Sequence, residues 1–160
     1  MATKQEDTKA EKRTPPAISS DNNKFRFTGK SRRIGETVVW QIAARKRLVD
    51  PITRMYISKG EKGGYIERED NLGYKNGDTS WIFDGCAVMG TANVEGNSSI
   101  CCHVIPRKAG EPASRYGCTV VDAKIIDNAR VYGVDIKAPM IISGNACIRR
   151  RADVPVQMRR

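Results

Sequence analysis

Leucine is nearly missing from this chain of 160 residues: it occurs twice, as Leu48 and Leu72, against 27 isoleucines and valines. Helices lean on leucine, whereas β-branched side chains suit strands, so the imbalance argues against a helical protein. Histidine is scarcer still, with His103 alone, and aromatic residues make up 6%. Apolar runs extend over only a few residues, far short of the roughly 20 a transmembrane helix needs. Met1–Asn22 consists mostly of Lys, Glu, Thr, Pro and Ser and lacks the apolar stretch of a secretory signal. The five cysteines are odd in number and two are adjacent. That pattern argues against a disulfide framework and fits a reducing, cytoplasmic location. With 39% hydrophobic residues the chain can nonetheless bury a core, which excludes wholesale disorder.

What is present is a repeat. Ile82, Val88, Val94 and Ile100 are six apart; Thr119, Ile125 and Val131 continue the step, and Ile136, Ile142 and Ile148 resume it after one step of five. Four residues after each of these ten positions stand Cys86, Ala92, Ser98, Val104, Ala123, Ala129, Asp135, Met140, Ala146 and Ala152, mostly small. The turn formers Asp84-Gly85, Gly90-Thr91, Gly96-Asn97, Asp127-Asn128 and Gly144-Asn145 fall between. Short strands joined by corners every six residues are the hexapeptide signature of a parallel β-helix. A β-sandwich predicts looser turn spacing, about 8–12 residues.

The segments Val88–Ile100, Ile125–Gly133 and Ile142–Ile148 resemble left-handed hexapeptide-repeat helices. More narrowly, Gly63-Gly64-Tyr65-Ile66, Asn71-Leu72 and Gly77-Asp78, followed by Trp81-Ile82-Phe83-Asp84, resemble a set of uncharacterised bacterial and prophage-encoded hexapeptide-repeat proteins. Phe27-Thr28-Gly29 and Trp40–Ala44 are similar to their opening hairpin, so the likeness covers about residues 24–150. It implies an all-β fold, a short left-handed parallel β-helix of about three coils at three hexads per coil. It carries no established reaction and no cofactor. The chain departs from the pattern where residues 105–118 interrupt the repeats and where Val134–Pro139 degenerate.

The expected organisation is a disordered arm over 1–22, a β-hairpin cap over 23–58 with its loop at Gly29–Gly35, and an irregular connection over 59–79. The repeats then occupy 80–150, with a protruding loop at 105–118, and a basic tail follows at 151–160. Basic charge is concentrated in two blocks: ten basic and two acidic residues over 23–60, and eleven and five over 101–160. The net charge is +10. Such a field attracts nucleic acid, anionic lipid or an acidic protein surface.

Catalysis in hexapeptide acyltransferases uses a histidine base and a CoA thioester, and His103 at the mouth of the loop is the one candidate here. The bland alternative makes it a polar corner residue. Cys101, Cys102, His103 and Cys118 invite zinc, but adjacent cysteines on a strand point to opposite faces, so no metal site is expected. Gly60–Gly64 lacks the order of a phosphate loop. The basic residues Arg45, Lys46, Arg47, Arg107, Lys108, Arg115, Arg149, Arg150 and Arg151, with Tyr116, are the expected partner-binding set.

The function this implies is a non-enzymatic interaction or structural protein of phage or prophage origin. It would form a homo-oligomer, bind an acidic surface on a host or virion protein, and reside in the host cytoplasm or the virion. Acyl transfer through His103 and electrostatic binding of nucleic acid are the alternatives.

Overall fold

The computed structural model describes residues 14–50, 54–75, 77–105, 109–110 and 114–149, with 103–105 and 114–116 described as backbone. In chain order the strands are β1 (Phe25–Ile34), β2 (Thr37–Ala44), β3 (Leu48–Val49), β4 (Tyr56–Ile57), β5 (Lys62–Ile66), β6 (Trp81–Ile82), β7 (Ala87–Met89) and β8 (Asn93–Val94). They continue with β9 (Ser99–Cys101), β10 (His103–Ile105), β11 (Ser114–Tyr116), β12 (Thr119–Val121), β13 (Lys124–Ile125), β14 (Arg130–Tyr132), β15 (Ile141–Ile142) and β16 (Cys147–Arg149). A single 3-10 turn, Glu69–Asn71, is the helical content of the described residues, and no helix there is long and apolar enough to cross a membrane. The protein is all-β.

Three sheets contain parallel ladders, and the chain passes through them in the same order four times. β5, β7 and β12 lie side by side in the first; β8, β13 and β15 form the second; β6, β9, β14 and β16 form the third. Ile66, Val88, Val120 and Ile136 pair in register in the first. Leu72, Val94, Ile125 and Ile142 do so in the second. Ile82, Ile100, Val131 and Ile148 do so in the third. All twelve side chains are buried and belong to one core cluster. This is the physical content of the six-residue step: β-branched residues suit extended backbone, and each rests on its counterpart one circuit away.

Two details differ from the sequence expectation. Val120, not Thr119, is the inward residue, since Thr119 pairs with Ala87 and Val120 with Val88. The chain returns from the 103–116 excursion one residue later than an unbroken step would place it. The segment 59–79, expected to be an irregular connection, carries β5 and the Leu72 bridge and so forms the first circuit. Among the described residues there are therefore four circuits rather than three.

The corners are tied by side chains as well as by backbone. Thr79 Oγ1 contacts Asn97 Oδ1 at 2.7 Å, Asn97 Nδ2 donates to Asn128 Oδ1 at 3.1 Å, and Asn128 Nδ2 donates to Asn145 Oδ1 at 3.1 Å. Beside this ladder Gly96 takes φ +80°, and a Cβ there would lie 3.0 Å from the Asp127 carbonyl. Glycine is required on both counts.

β1 and β2 form an antiparallel hairpin, and β2 pairs antiparallel with β5, covering the edge at which the circuits begin. The expected loop at Gly29–Gly35 is shorter. β1 runs to Ile34, the turn is Gly35-Glu36, and the register shift between Phe27 and Ser31 absorbs Gly29 as an irregularity within the strand. Both faces of β2 are buried, because Val39 joins Tyr65, Ala87 and Met89 in a second cluster while Ile42 and Ala44 join the main one. The region expected to be a disordered arm ends in fixed contacts: Ser19 N–H and Oγ donate to the Glu69 carboxylate at 2.8 Å each, and Asn22 Nδ2 donates to it at 2.9 Å. Residues 1–13 lie outside the described ones.

Where the hairpin meets the first circuit, Lys24 is 0% exposed. Its Nζ donates to Gly73 O at 2.6 Å, Asp78 Oδ1 at 2.8 Å and Ser80 Oγ at 3.0 Å. Burial pushes the ammonium down from 10.5 to about 8, against the opposing pull of Asp78. Burial alone would raise the Asp78 carboxyl, but the Lys24 charge and hydrogen bonds from Lys24, Ser80 and Gly96 outweigh it and hold the group below its usual range.

Two outcomes follow. Ile125→Ala should cost about 3 kcal/mol in chemical denaturation, and Thr119→Ala about 0.5 kcal/mol or less; equal losses would refute the observed register. Between pH 8 and 10.5 the unfolded chain keeps the Lys24 proton that the folded chain releases, so that group's contribution to stability rises with pH in this window. The wild type should therefore gain on the Lys24→Met/Asp78→Asn double variant over that range, and a flat difference would contradict the burial.

Candidate functional site

The outward row of the third parallel sheet places Trp81, Ser99, Arg130 and Cys147 in register. Outward positions ordinarily meet water, yet Trp81, Ser99 and Arg130 are buried. Their cover is the β3–β4 hairpin, in which Leu48 pairs with Ile57 and both side chains join the cluster that holds Trp81. Cover and sheet do not close completely. A cavity of about 350 Å³ remains between them, with Leu48, Ile57, Trp81, Ser98, Ser99 and Arg130 as buried walls. Met55 and Asp84 are its exposed lining residues, and Phe83, Cys101, Cys102 and Tyr132 are partly exposed, so the mouth lies among these.

The polar end of the cavity is held by an internal ion pair and hydrogen bonds. Arg130 Nη1 donates to Ser99 Oγ at 2.8 Å and to Asn97 O at 3.3 Å, and its Nη2 meets Asp50 Oδ2 at 2.5 Å. Asp50 N donates to Met55 O at 2.9 Å, so the ion pair also fixes the turn that carries Met55. A charge this buried is costly unless it is paired. The indole N–H of Trp81 is buried with no acceptor among the described residues, and Arg130 Nη2, in charge contact with Asp50, makes no hydrogen bond among them either.

Around this cavity the surface is apolar and cationic. Val49, Met55 and Tyr56 are among the exposed large hydrophobic residues, with Met55 at 65% and Tyr56 at 56%. The Arg47 guanidinium lies 4.5 Å from the Tyr56 ring, and that of Arg149 lies 5.2 Å from the Tyr132 ring. Stacked guanidiniums of this kind keep their charge while their flat faces cover an aromatic.

Of the residues expected to bind a partner, Arg149 stacks on Tyr132 of the cavity lining, whereas Arg47 stacks on Tyr56, which is not part of that lining. Arg45 and Lys46 are exposed, and residues 45–47 follow the end of β2 and are not strand. Arg45 turns its Nη1 to Asn22 O at 3.0 Å. Arg107, Lys108, Arg150 and Arg151 lie outside the described residues. Arg115 and Tyr116 fall on β11, which pairs antiparallel with β10, so the expected loop at 105–118 is a β-hairpin. His103 pairs with Tyr116 on its stem rather than standing at a corner. Asp50, Trp81 and Arg130 were not among the sequence candidates.

The thiols lie near the root of that hairpin. Cys86 and Cys118 are buried neighbours immediately before β7 and β12. The hydrogen bond to Cys118, reinforced by burial, pushes the Cys86 thiol up, and the same bond draws Cys118 down. Burial pushes Cys101 up to about 11. Cys86 and Cys101, held protonated, are poor nucleophiles and poor metal ligands. Among the described residues no group of three His, Cys, Asp or Glu side chains is placed to hold a metal ion.

Compared with known proteins, the chain matches no family model, no curated protein and no solved structure.

Arg130→Ala should leave Asp50 buried without its cation and cost roughly 3 kcal/mol. Hydrogen exchange should then speed at residues 48–50 and 54–57 more than in β7 and β12. Uniform acceleration would mean that the ion pair does not hold the cover.

Proposed function

We propose that the protein is a non-enzymatic interaction protein, of the phage or prophage kind its sequence resembles. Its scaffold is a left-handed parallel β-helix that self-associates and binds a partner protein through an acidic surface on that partner. The scaffold reading is supported by the six-residue step, by the three in-register stacks, and by positive φ at the corner residues Gly85, Gly90, Gly96, Asp127 and Gly144.

The observation that carries the functional reading is the surface around the β3–β4 hairpin. Exposed Val49, Met55 and Tyr56 lie together with the Arg47 guanidinium stacked on Tyr56. An exposed apolar cluster rimmed by cations on a rigid support suits a protein partner with acidic and apolar character. Self-association is supported by β15, the last strand of its sheet among the described residues, which carries Ile141 at 65% exposure.

The test is a pull-down of the tagged full chain from bacterial lysate at low and high salt, with protein and nucleic acid both quantified. One stoichiometric protein, retained at high salt and lost with Arg47→Glu/Tyr56→Ala, is the expected result. Recovery of nucleic acid alone, released steeply by salt, would replace this reading with the electrostatic one.

A further inference from the structure

No disulfide links the five cysteines, yet two of them are held as a pair. Ala87 and Thr119 are in register on the parallel strands β7 and β12, and the ladder reaches one residue further back, where Ala87 N–H donates to Cys118 O at 2.9 Å. Cys86 and Cys118 therefore occupy neighbouring positions on adjacent chain segments. Each stands two residues before an inward valine, Val88 or Val120, so the alternation of extended backbone turns both thiols to the same side, and both belong to the main core cluster. Neighbouring strands run about 4.8 Å apart, inside the roughly 4.4–6.8 Å between Cα atoms that a disulfide spans. The two side chains are already hydrogen-bonded to each other. Parallel Cβ vectors keep the strand spacing, slightly wider than the roughly 3.5–4.5 Å of a relaxed disulfide, so a bond here is of the reducible kind rather than a permanent framework bond.

The two sulfurs are not equivalent. Cys118 Sγ contacts Cys101 O at 3.3 Å and accepts the Val134 N–H at 3.3 Å, and its bond from Cys86 favours the thiolate at Cys118 while keeping the proton on Cys86. Cys118 is thus the sulfur suited to attack an oxidant, and Cys86 the partner that resolves the product. Their position matters as well: Gly85 and Gly117, the residues just before them, pass each other at the root of the β10–β11 hairpin, where the chain rejoins the parallel ladder. Both thiols are buried, so an oxidant reaches them when this seam loosens.

We propose that Cys86 and Cys118 are a modification site, a reversible disulfide that forms with a hydroperoxide and fastens the seam between β7 and β12 at the root of the inserted hairpin. The Cys118 thiolate attacks one oxygen of the peroxide and the O–O bond breaks. Cys118 becomes a sulfenic acid, and the departing hydroxide takes up the proton that Cys118 gave away, forming water. The Cys86 sulfur then attacks the sulfenic sulfur, the S–O bond breaks, and the hydroxide leaves as water with the Cys86 proton. Two thiols and one hydrogen peroxide give one disulfide and two waters, with two electrons passing from sulfur to oxygen. This goes beyond the interaction reading and does not depend on it.

The full-length chain carrying Cys147→Ser, which removes the exposed thiol, is treated with hydrogen peroxide at pH 8, alkylated, and cleaved after Lys, Arg and Glu. Cleavage after Glu95 separates Cys86 from Cys101 and Cys102, and cleavage after Arg115 releases Cys118. The expected product is the Cys86 peptide joined to the Cys118 peptide, released by dithiothreitol. In the oxidised chain, hydrogen exchange at residues 119–121 should slow at least fivefold relative to the reduced chain. Cys86→Ala and Cys118→Ala should each abolish both effects, whereas Cys102→Ala should leave them. The peptide map of the chain with both cysteines decides the pairing even where an alanine variant does not fold. Cys118 or Cys86 joined to Cys101 or Cys102, both thiols still free after peroxide, or a Cys86–Cys118 bond that leaves exchange at 119–121 unchanged would overturn the proposal.

Discussion

A lysine ammonium taken wholly out of water is costly, and in this protein the cost is offset at the point where the hairpin joins the repeats. Lys24 spends its three donors on Gly73, Asp78 and Ser80. Asp78 in turn accepts from the backbone of Ser80 and, through Oδ2, from Gly96 in the second circuit. One ion pair thus connects the start of the hairpin, the link between Leu72 and β6, and a corner of the next circuit. A stack of parallel strands has to begin somewhere, and its first strand exposes a row of unpaired backbone groups. β2 covers that row by pairing with β5, and Lys24, immediately before β1, fastens the hairpin that contains β2.

From that edge onward the energetics repeat. Each circuit adds three inward β-branched or leucine side chains, and between the strands small residues such as Ala92, Ala123 and Ala129 are buried at the turns into the next sheet. Polar corners do not weaken this arrangement, because the amides of Asn97, Asn128 and Asn145 satisfy one another from circuit to circuit. Asp127, at positive φ, accepts the Gly144 N–H through Oδ2. An acidic or amide side chain at such a corner supplies both the unusual backbone conformation and the bond that holds it.

How much of this can be read from the residues depends on whether a position repeats. The stacking of Val94 with Ile125 and Ile142, and of Ile100 with Val131 and Ile148, follows from the spacing. The misplaced step at Thr119 had a remedy in the same sequence. Most inward residues stand two positions after a buried small or thiol residue, as in Cys86 and Val88, Ala123 and Ile125, or Ala129 and Val131, and Cys118 therefore points to Val120. The first circuit escaped because Leu72 and Ile66 are separated from Ile82 by a longer, glycine-punctuated path without the step. Lys24 and Arg130 gave no signal at all: charged side chains are ordinarily on the surface, and their burial depends on partners 54 and 80 residues away. The cavity was equally illegible. Its floor is the outer side of a repeating sheet, but its roof is the non-repeating β3–β4 hairpin, and only the fold brings the two together.

The antiparallel pair β10–β11 leaves the parallel ladder between β9 and β12, yet Ala87, Val88 and Met89 pair with Thr119, Val120 and Val121 as neighbours across the gap. Gly85 and Gly117 pass so close that neither the scaffold nor the inserted strands leave room for a side chain at Gly117. The inserted piece is therefore a cassette plugged into a closed seam. A change of length or sequence beyond the β10–β11 stem would leave in place the pairing of Ala87–Met89 with Thr119–Val121 that closes the seam.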